Sequence, residues 1–398
     1  MNRQHMSIIA GGILLLAVAM GISRFAFTPI LPFMRVDENL SFSQGGWLAS
    51  SNYIGYFLGA LGAGFIYRSK KNFLLFNVVV NVISILFMGW IESYSIWLIL
   101  RFIAGLTGGF IFVLTSSIVM DYLAANLLTR WSGYIFSGVG IGIALSGLLV
   151  PFFEASFHWQ GSWLGLGTLS ALFLMTTFFL WRHLKVQNHV KQPKSEATNI
   201  WRGFMPWLIF AYGLEGLGYI ITGTFLVDII YNIEPLRAYA GYSWVIAGIA
   251  AIPSAPIWMQ LMSRFSTISM MAFAYALQVF GILLPVFSQS VWSVLLSAFL
   301  FGFTFVGLVT MSTAYGRQLF PKQSAYVVSM LTTFYAFGQI VGPVIAGRLE
   351  TYFDTYKAPL LFAGGTVTIA LVLLVVGYFY SSRKPVHSPQ SEGIEKAI

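Results

Sequence analysis

Apolar residues run through this chain in long unbroken blocks, with neither the 3.6-residue stripe of a surface helix nor the two-residue alternation of a half-buried strand. Twelve such blocks can be placed, at 6–27, 43–67, 73–91, 96–120, 131–153, 160–182, 204–230, 241–263, 267–287, 291–316, 325–349 and 358–380. A helix of about 20 residues crosses the ~30 Å hydrocarbon layer of a bilayer, so each block predicts one membrane-spanning helix. The charge-free stretch 267–316 is divided at Ser288-Gln289-Ser290, because one helix of that length would overrun any bilayer. Barrel strands are excluded, since they would alternate apolar and polar positions.

The composition agrees with this pattern. Of 398 residues, 57% are apolar and only 9% charged, against about 25% charged in soluble domains. The sequence therefore predicts an all-α, multi-pass membrane protein. Its formal net charge of +9 reflects loops and not a nucleic-acid partner. With the N-terminus in the cytoplasm, sixteen of the 22 Lys and Arg fall on the cytoplasmic side and four on the other, as the positive-inside rule requires. Both termini are then expected in the cytoplasm, with the first span uncleaved and the protein in the cell membrane as a monomer.

The polar stretch 185–203 separates two groups of six spans. It predicts four regions: a six-helix bundle at 1–184, a cytoplasmic linker at 185–203, a second bundle at 204–381 and a polar tail at 382–398. The halves are related. Adding 197 carries Gly21 to Gly218, Trp47 to Trp244 and Gly105 to Gly302. Adding 200 carries Gly138, Gly142 and Gly147 to Gly338, Gly342 and Gly347. Two pseudo-symmetric bundles are expected. Gly55 and Gly59, like the pairs Gly138/Gly142 and Gly338/Gly342, have the spacing that lets helices approach closely. Pro151, Pro253, Pro256 and Pro343 are placed where helix carbonyls could be freed.

Few residues inside the spans carry chemistry. Glu215, in YGLEGLGYIITGTF, is the acid nearest the middle of any span. A carboxylate at that depth costs at least about 2.5–3.5 kcal/mol on insertion scales, so it should face a polar interior. It is the candidate proton-coupling residue; a carboxylate hydrogen-bonded to a neighbouring helix is the alternative. Arg24 and Arg101 either snorkel to the outer interface or line a central cavity as substrate-binding cations. Asn52 and Gln339 lie mid-span and are cavity candidates, with Tyr53, Tyr56, Tyr212, Tyr219, Phe25 and Tyr335 as an aromatic lining. Asn77 and Asn81 share a helix face and fit a helix–helix hydrogen bond. Asp228 and Trp47 fit interfacial anchors. All five histidines lie outside the spans, and the chain has no cysteine, H-E-x-x-H, phosphate-cradling glycine loop or nucleophile elbow. No enzyme activity, cofactor or metal is expected.

Twelve spans in two halves, the basic central loop and LRFIAGLTGG in the fourth span, where Arg101 and Gly105 match the signature, resemble the major facilitator superfamily. GAGFIYRSKKN matches that superfamily's loop between spans two and three in its basic cluster Arg68, Lys70 and Lys71, the gating-loop residues; the usual aspartate is absent. GISRFAFTPILPFM and YGLEGLGYIITGTF resemble the YbfB/YjiJ subgroup of bacterial transporters. The resemblance implies the major facilitator fold and a rocker-switch secondary carrier with a midplane site between the bundles. With Glu215 as proton carrier, the expected function is proton-coupled transport of a small organic solute, anionic, zwitterionic or amphipathic. The glycine-rich fifth span favours export. An uncoupled uniporter, a channel and a non-transporting sensor of the same fold are the alternatives.

Overall fold

The structure, a computed structural model, describes residues 3–66, 69–184 and 199–382 apart from the side chains of 129, 130, 322, 325 and 382. Arg68, most of the 185–203 linker and the tail beyond Ser382 lie outside the described residues. Among the described residues there are thirteen α-helices and no strand. They are α1 (Arg3–Leu16), α2 (Phe27–Asp37), α3 (Phe42–Ala63), α4 (Lys70–Met88), α5 (Tyr94–Ala125), α6 (Ser137–Leu180), α7 (Met205–Tyr231), α8 (Ala240–Ala251), α9 (Ser254–Arg264), α10 (Thr267–Phe287), α11 (Val291–Leu319), α12 (Ser324–Phe353) and α13 (Lys357–Ser382).

These helices make twelve crossings. Among the described residues nine helical stretches are long and apolar enough to span, or ten with the pair Glu234–Ala251 and Ser254–Arg264, which is bent by 43°. One of them, Trp131–Leu180, is 50 residues long. At 1.5 Å per residue that is about 75 Å, far beyond one bilayer. It breaks at Phe157 and His158, where His158 takes φ 55°, and so supplies two crossings. The 22-residue α3 completes the set.

The first span departs from its sequence boundaries. The apolar block predicts an end at residue 27. Instead α1 passes through a π-helical stretch, Ala17–Ile22, and a turn into α2, which continues to Asp37. Proline is tolerated in the first turn of a helix because that turn has no intrahelical N–H bonds to lose. The register slips through this region: Ser23 N bonds Val18 O at 2.8 Å, Phe25 N bonds Met20 O at 3.1 Å, and Thr28 N bonds Phe25 O at 3.2 Å. The slip leaves the Ser23 and Arg24 carbonyls to side-chain donors.

The two halves repeat one packing scheme. A Cβ on Gly138 would strike the carbonyl of Ile13, and one on Gly338 the carbonyl of Gly213; Gly142 faces Ala17 O as Gly342 faces Leu217 O. Each pair of contacts recurs after 200 residues, because helices that cross backbone to backbone have no room for a side chain. Gly105 is seated on Asn52 O of α3, and Gly302 on Ala247 O of α8. The proline expectation holds best at Pro253, which sits at the α8–α9 bend; Pro151 and Pro343 are carried inside α6 and α12.

Between the halves, α3 packs on α12 and α6 on α8. At the end of the molecule that contains Arg35, the halves are bonded to each other. Thr28 Oγ1 donates to Gly223 O at 2.5 Å, Ser50 Oγ to Ile340 O at 2.7 Å, and Tyr53 OH lies 3.1 Å from Thr224 Oγ1. Phe42 stacks on Phe225 with centroids 3.8 Å apart. Arg35 pairs with the fully buried Asp228. This end, the one poor in Lys and Arg, is closed.

Candidate functional site

Arg101 reaches from α5 into the broken first span. Its Nη1 donates to Ser23 O at 2.8 Å and its Nη2 to Arg24 O at 3.4 Å, while the guanidinium lies over Phe27 at 4.5 Å. It meets the carbonyls that the register slip released. Asn52 Nδ2 donates to Arg101 O at 3.0 Å. Asn81 Nδ2 contacts Ser23 Oγ at 3.0 Å, Ala104 O at 2.9 Å and Thr107 Oγ1 at 2.8 Å. This network lies within the N-terminal half. Arg101 and Asn52 hold its helices in register, and Asn81 makes the helix–helix bonds its position suggested. Asn77 bonds only back to Phe73 O of its own helix, at 2.8 Å.

Arg24, next to the carbonyl that Arg101 holds, turns the other way, towards the meeting of the halves. Its guanidinium carbon stands 4.7 Å from the centre of the Tyr53 ring and 4.6 Å from that of Tyr56. Its electrostatic neighbours are those two phenols and, from the other half, Tyr219 and Tyr335. Arg24 is 4% exposed, and its Nε and Nη2 have no hydrogen-bond partner. Neither arginine snorkels, because both are buried. Phe25 crosses to the second half, 5.7 Å from Phe305 and 6.4 Å from Trp244.

The second half answers with a series of nearly parallel rings. Tyr212 stacks on Tyr335 at 4.3 Å, Tyr335 on Tyr219 at 5.5 Å, Tyr219 on Phe305 at 5.9 Å, and Phe301 on Trp244 at 5.8 Å. Gln339 Nε2 donates to Tyr219 OH. The Tyr335 hydroxyl meets that of Tyr219, while Trp244 Nε1 and Gln339 Oε1 have no partner.

Glu215 lies behind this layer. It is fully buried, and its carboxylate turns into its own bundle, where Gln278 Nε2 of α10 donates to Oε1 at 3.0 Å. Oε2 has no hydrogen-bond partner. The phenols of Tyr212, Tyr219, Tyr275 and Tyr335 lie in its field. Tyr219 and Tyr335 therefore lie in the fields of both Glu215 and Arg24. Among the described residues no cluster of acids and histidines could hold a metal.

Of the basic loop, Arg68 lies outside the described residues. Lys70 Nζ approaches Ser117 Oγ at 3.4 Å, and Lys71 Nζ donates to Trp181 O at 2.5 Å, at the end of α6. The sequence reading took Asp228 for an interfacial anchor. It is instead fully buried and bonded across the halves to Arg35, with Asn232 Nδ2 at 3.1 Å from Oδ1. The one local signal was an acid inside an apolar run; its partner 193 positions away left no local trace. Trp47 is 45% exposed, as an anchor would be.

Known proteins resemble this chain in sequence and in fold. The sequence profile of the family described as "Uncharacterised MFS-type transporter YbfB" matches residues 16–375. The Quinolone resistance protein NorA of Staphylococcus aureus (strain Mu50 / ATCC 700699) is 20% identical over 361 residues, 87% of this chain and 91% of that protein. Multidrug resistance protein 2 of Bacillus subtilis (strain 168) is 22% identical over 376 residues, 87% of this chain and 90% of that one. Among solved structures, the nucleoside transporter NupG superimposes with a TM-score of 0.72 at 14% identity, covering 95% of this chain and 99% of its own. The family match and the helical fold are those of a membrane transporter and not of an enzyme. The chain belongs to the YbfB-type family of major facilitator transporters.

Proposed function

We propose that this transporter is a secondary carrier that moves a small organic solute together with a proton, by opening alternately to the two sides of the membrane. The solute is held between the halves at Arg24 and the facing rings. Glu215 takes up and releases the proton, and Tyr219 and Tyr335 relate the two events because each senses both charges. The observation behind this reading is that Glu215, fully buried with Oε2 unbonded, and Arg24, buried with its Nε and Nη2 unbonded, share Tyr219 and Tyr335 as electrostatic neighbours. A carboxylate and a guanidinium each held that deep in a membrane protein, each with atoms unbonded, are what a site that exchanges a proton and a solute requires.

The bonded end containing Arg35 is the outer one by the distribution of Lys and Arg, so both termini face the cytoplasm and the structure represents an outward-closed state. The protein acts as a monomer, since each chain holds both halves of the site. Export is the favoured direction, in keeping with the drug-resistance names of two relatives. Arg68, Lys70 and Lys71 belong to the inner gate of the cycle. The test is proton movement in liposomes that contain the purified protein and an internal pH dye, challenged with a panel of organic anions, zwitterions and cations. A transported solute should change the internal pH in step with its own flux. Flux without proton movement would make the protein a uniporter, and binding without flux a sensor.

A further inference from the structure

Arg24 brings a permanent positive charge to the meeting of the halves, and the groups in its field are phenols with no carboxylate among them. The ion pair found among the described residues, Arg35 with Asp228, lies at the outer end. A guanidinium cannot shed its proton, so burial leaves a counter-charge as its remedy. Tyr53 and Tyr56 lie over the group, while the unbonded atoms, Nε and Nη2, share one edge. That edge presents two parallel N–H donors, the geometry that meets both oxygens of a carboxylate. Arg101 cannot offer the same, because its Nη1 and Nη2 are engaged with Ser23 O and Arg24 O.

The surroundings of that edge specify the rest of the ligand. The rings of Tyr335, Tyr219 and Phe305 are within 15° of parallel to their neighbours in the stack. These faces are closed on one another here, with centroids 5.5 and 5.9 Å apart, so a flat ring enters by offset stacking as they part, and a bulky saturated body is accepted poorly. Unpartnered groups on the surrounding residues include a donor, Trp244 Nε1, and an acceptor, Gln339 Oε1. The set suits a planar anion with a polar substituent. It is wrong for a cation, which would meet Arg24.

We propose that the transported solute is a planar aromatic carboxylate, with its carboxylate on the Nε/Nη2 edge of Arg24 and its ring inserted among Tyr219, Tyr335 and Phe305, and with Arg101 as a positioning residue. This rests on the carrier reading for transport; binding is measured without it. Purified full-length protein is titrated in detergent with 2-naphthoate, 2-naphthamide, decalin-2-carboxylate and 2-naphthylmethylamine, with tryptophan fluorescence and calorimetry as readouts. The unaltered protein should bind 2-naphthoate at least tenfold more tightly than each of the other three. Arg24→Gln should abolish that preference over the amide, whereas Tyr335→Leu, which removes a stacking face, should weaken naphthoate severalfold and keep the preference. Equal binding of the amide, tighter binding of the amine, no binding of naphthoate, or an unchanged preference in Arg24→Gln overturns the proposal. The four-ligand series on unaltered protein decides the matter if Arg24→Gln does not fold. Naphthoate bound with no proton-linked flux overturns the carrier reading alone. Proton-linked flux of a cation with no naphthoate binding overturns the aromatic carboxylate alone.

Discussion

Asp228→Asn keeps the size of the side chain and its contact with Asn232 but removes the charge that faces Arg35 across the outer closure. Breaking a fully buried ion pair by neutralising one partner costs about 3–5 kcal/mol, and an exposed pair is worth about 1 kcal/mol or less. The pair lies between these limits, because Asp228 is fully buried while the Arg35 side chain is 16% exposed. Arg35 also keeps its bond to Leu40 O at 3.2 Å and its place 5.1 Å from the Phe42 ring. A loss of about 2 kcal/mol is therefore expected in the outward-closed state, and none when the halves part and water takes over both groups. At 1.4 kcal/mol per tenfold, the outward-open fraction should rise roughly 30-fold. The chain has no cysteine, so a single reporter is free of background. Thr28→Cys is near-isosteric, and Thr28 lies buried against Gly223 of the other half. Its modification by a membrane-impermeant thiol reagent, with and without Asp228→Asn, reads the open fraction. An unchanged rate in protein that is still folded would mean that Arg35 and Asp228 do not hold the outer side shut.

Three further outcomes follow from the packing. Arg101→Gln should strand the Ser23 and Arg24 carbonyls, at about 1–3 kcal/mol each, and lower the melting temperature in detergent. Arg101→Lys should recover only part of the loss, since an ammonium lacks the planar fork that spans both oxygens; a melting temperature unmoved by either change would contradict the bracing role. Gly105→Ala places a methyl group on Asn52 O, and overpacking of about 1–3 kcal/mol or more should sharply reduce the yield of monodisperse protein. Ala substitution at Gly133, where a Cβ meets nothing within 4 Å, is the matched control and should leave the yield unchanged.

The sequence disclosed most of what depends on composition and on backbone contact. Apolar runs marked the crossings because lipid tolerates little else along a helix. The glycines 138, 142, 338 and 342 revealed the repeat because each sits on a carbonyl of a crossing helix. Direction was harder to read. A helix that is apolar all round has no polar face to orient it, so nothing local indicated that Glu215 turns towards Gln278 in its own bundle or that Arg101 turns towards Ser23 O. The two arginines looked alike in sequence. A bonded network separates them: one is occupied by carbonyls and the other has a free edge. The continuation of the first span to Asp37 carried no helix signal in the sequence, because it holds Pro29 and, inside α2, Pro32. The Arg35–Asp228 bond joins distant parts of the chain and had no periodic signature.

The most direct measurement compares two modes of transport in one variant, Glu215→Gln, in proteoliposomes with a solute identified by the dye screen. If Glu215 exchanges the proton while the site between the halves exchanges the solute, accumulation driven by an imposed pH gradient should disappear, and solute-for-solute exchange at equal pH should persist. Gradient-driven accumulation at the unaltered rate in this variant would contradict the central claim.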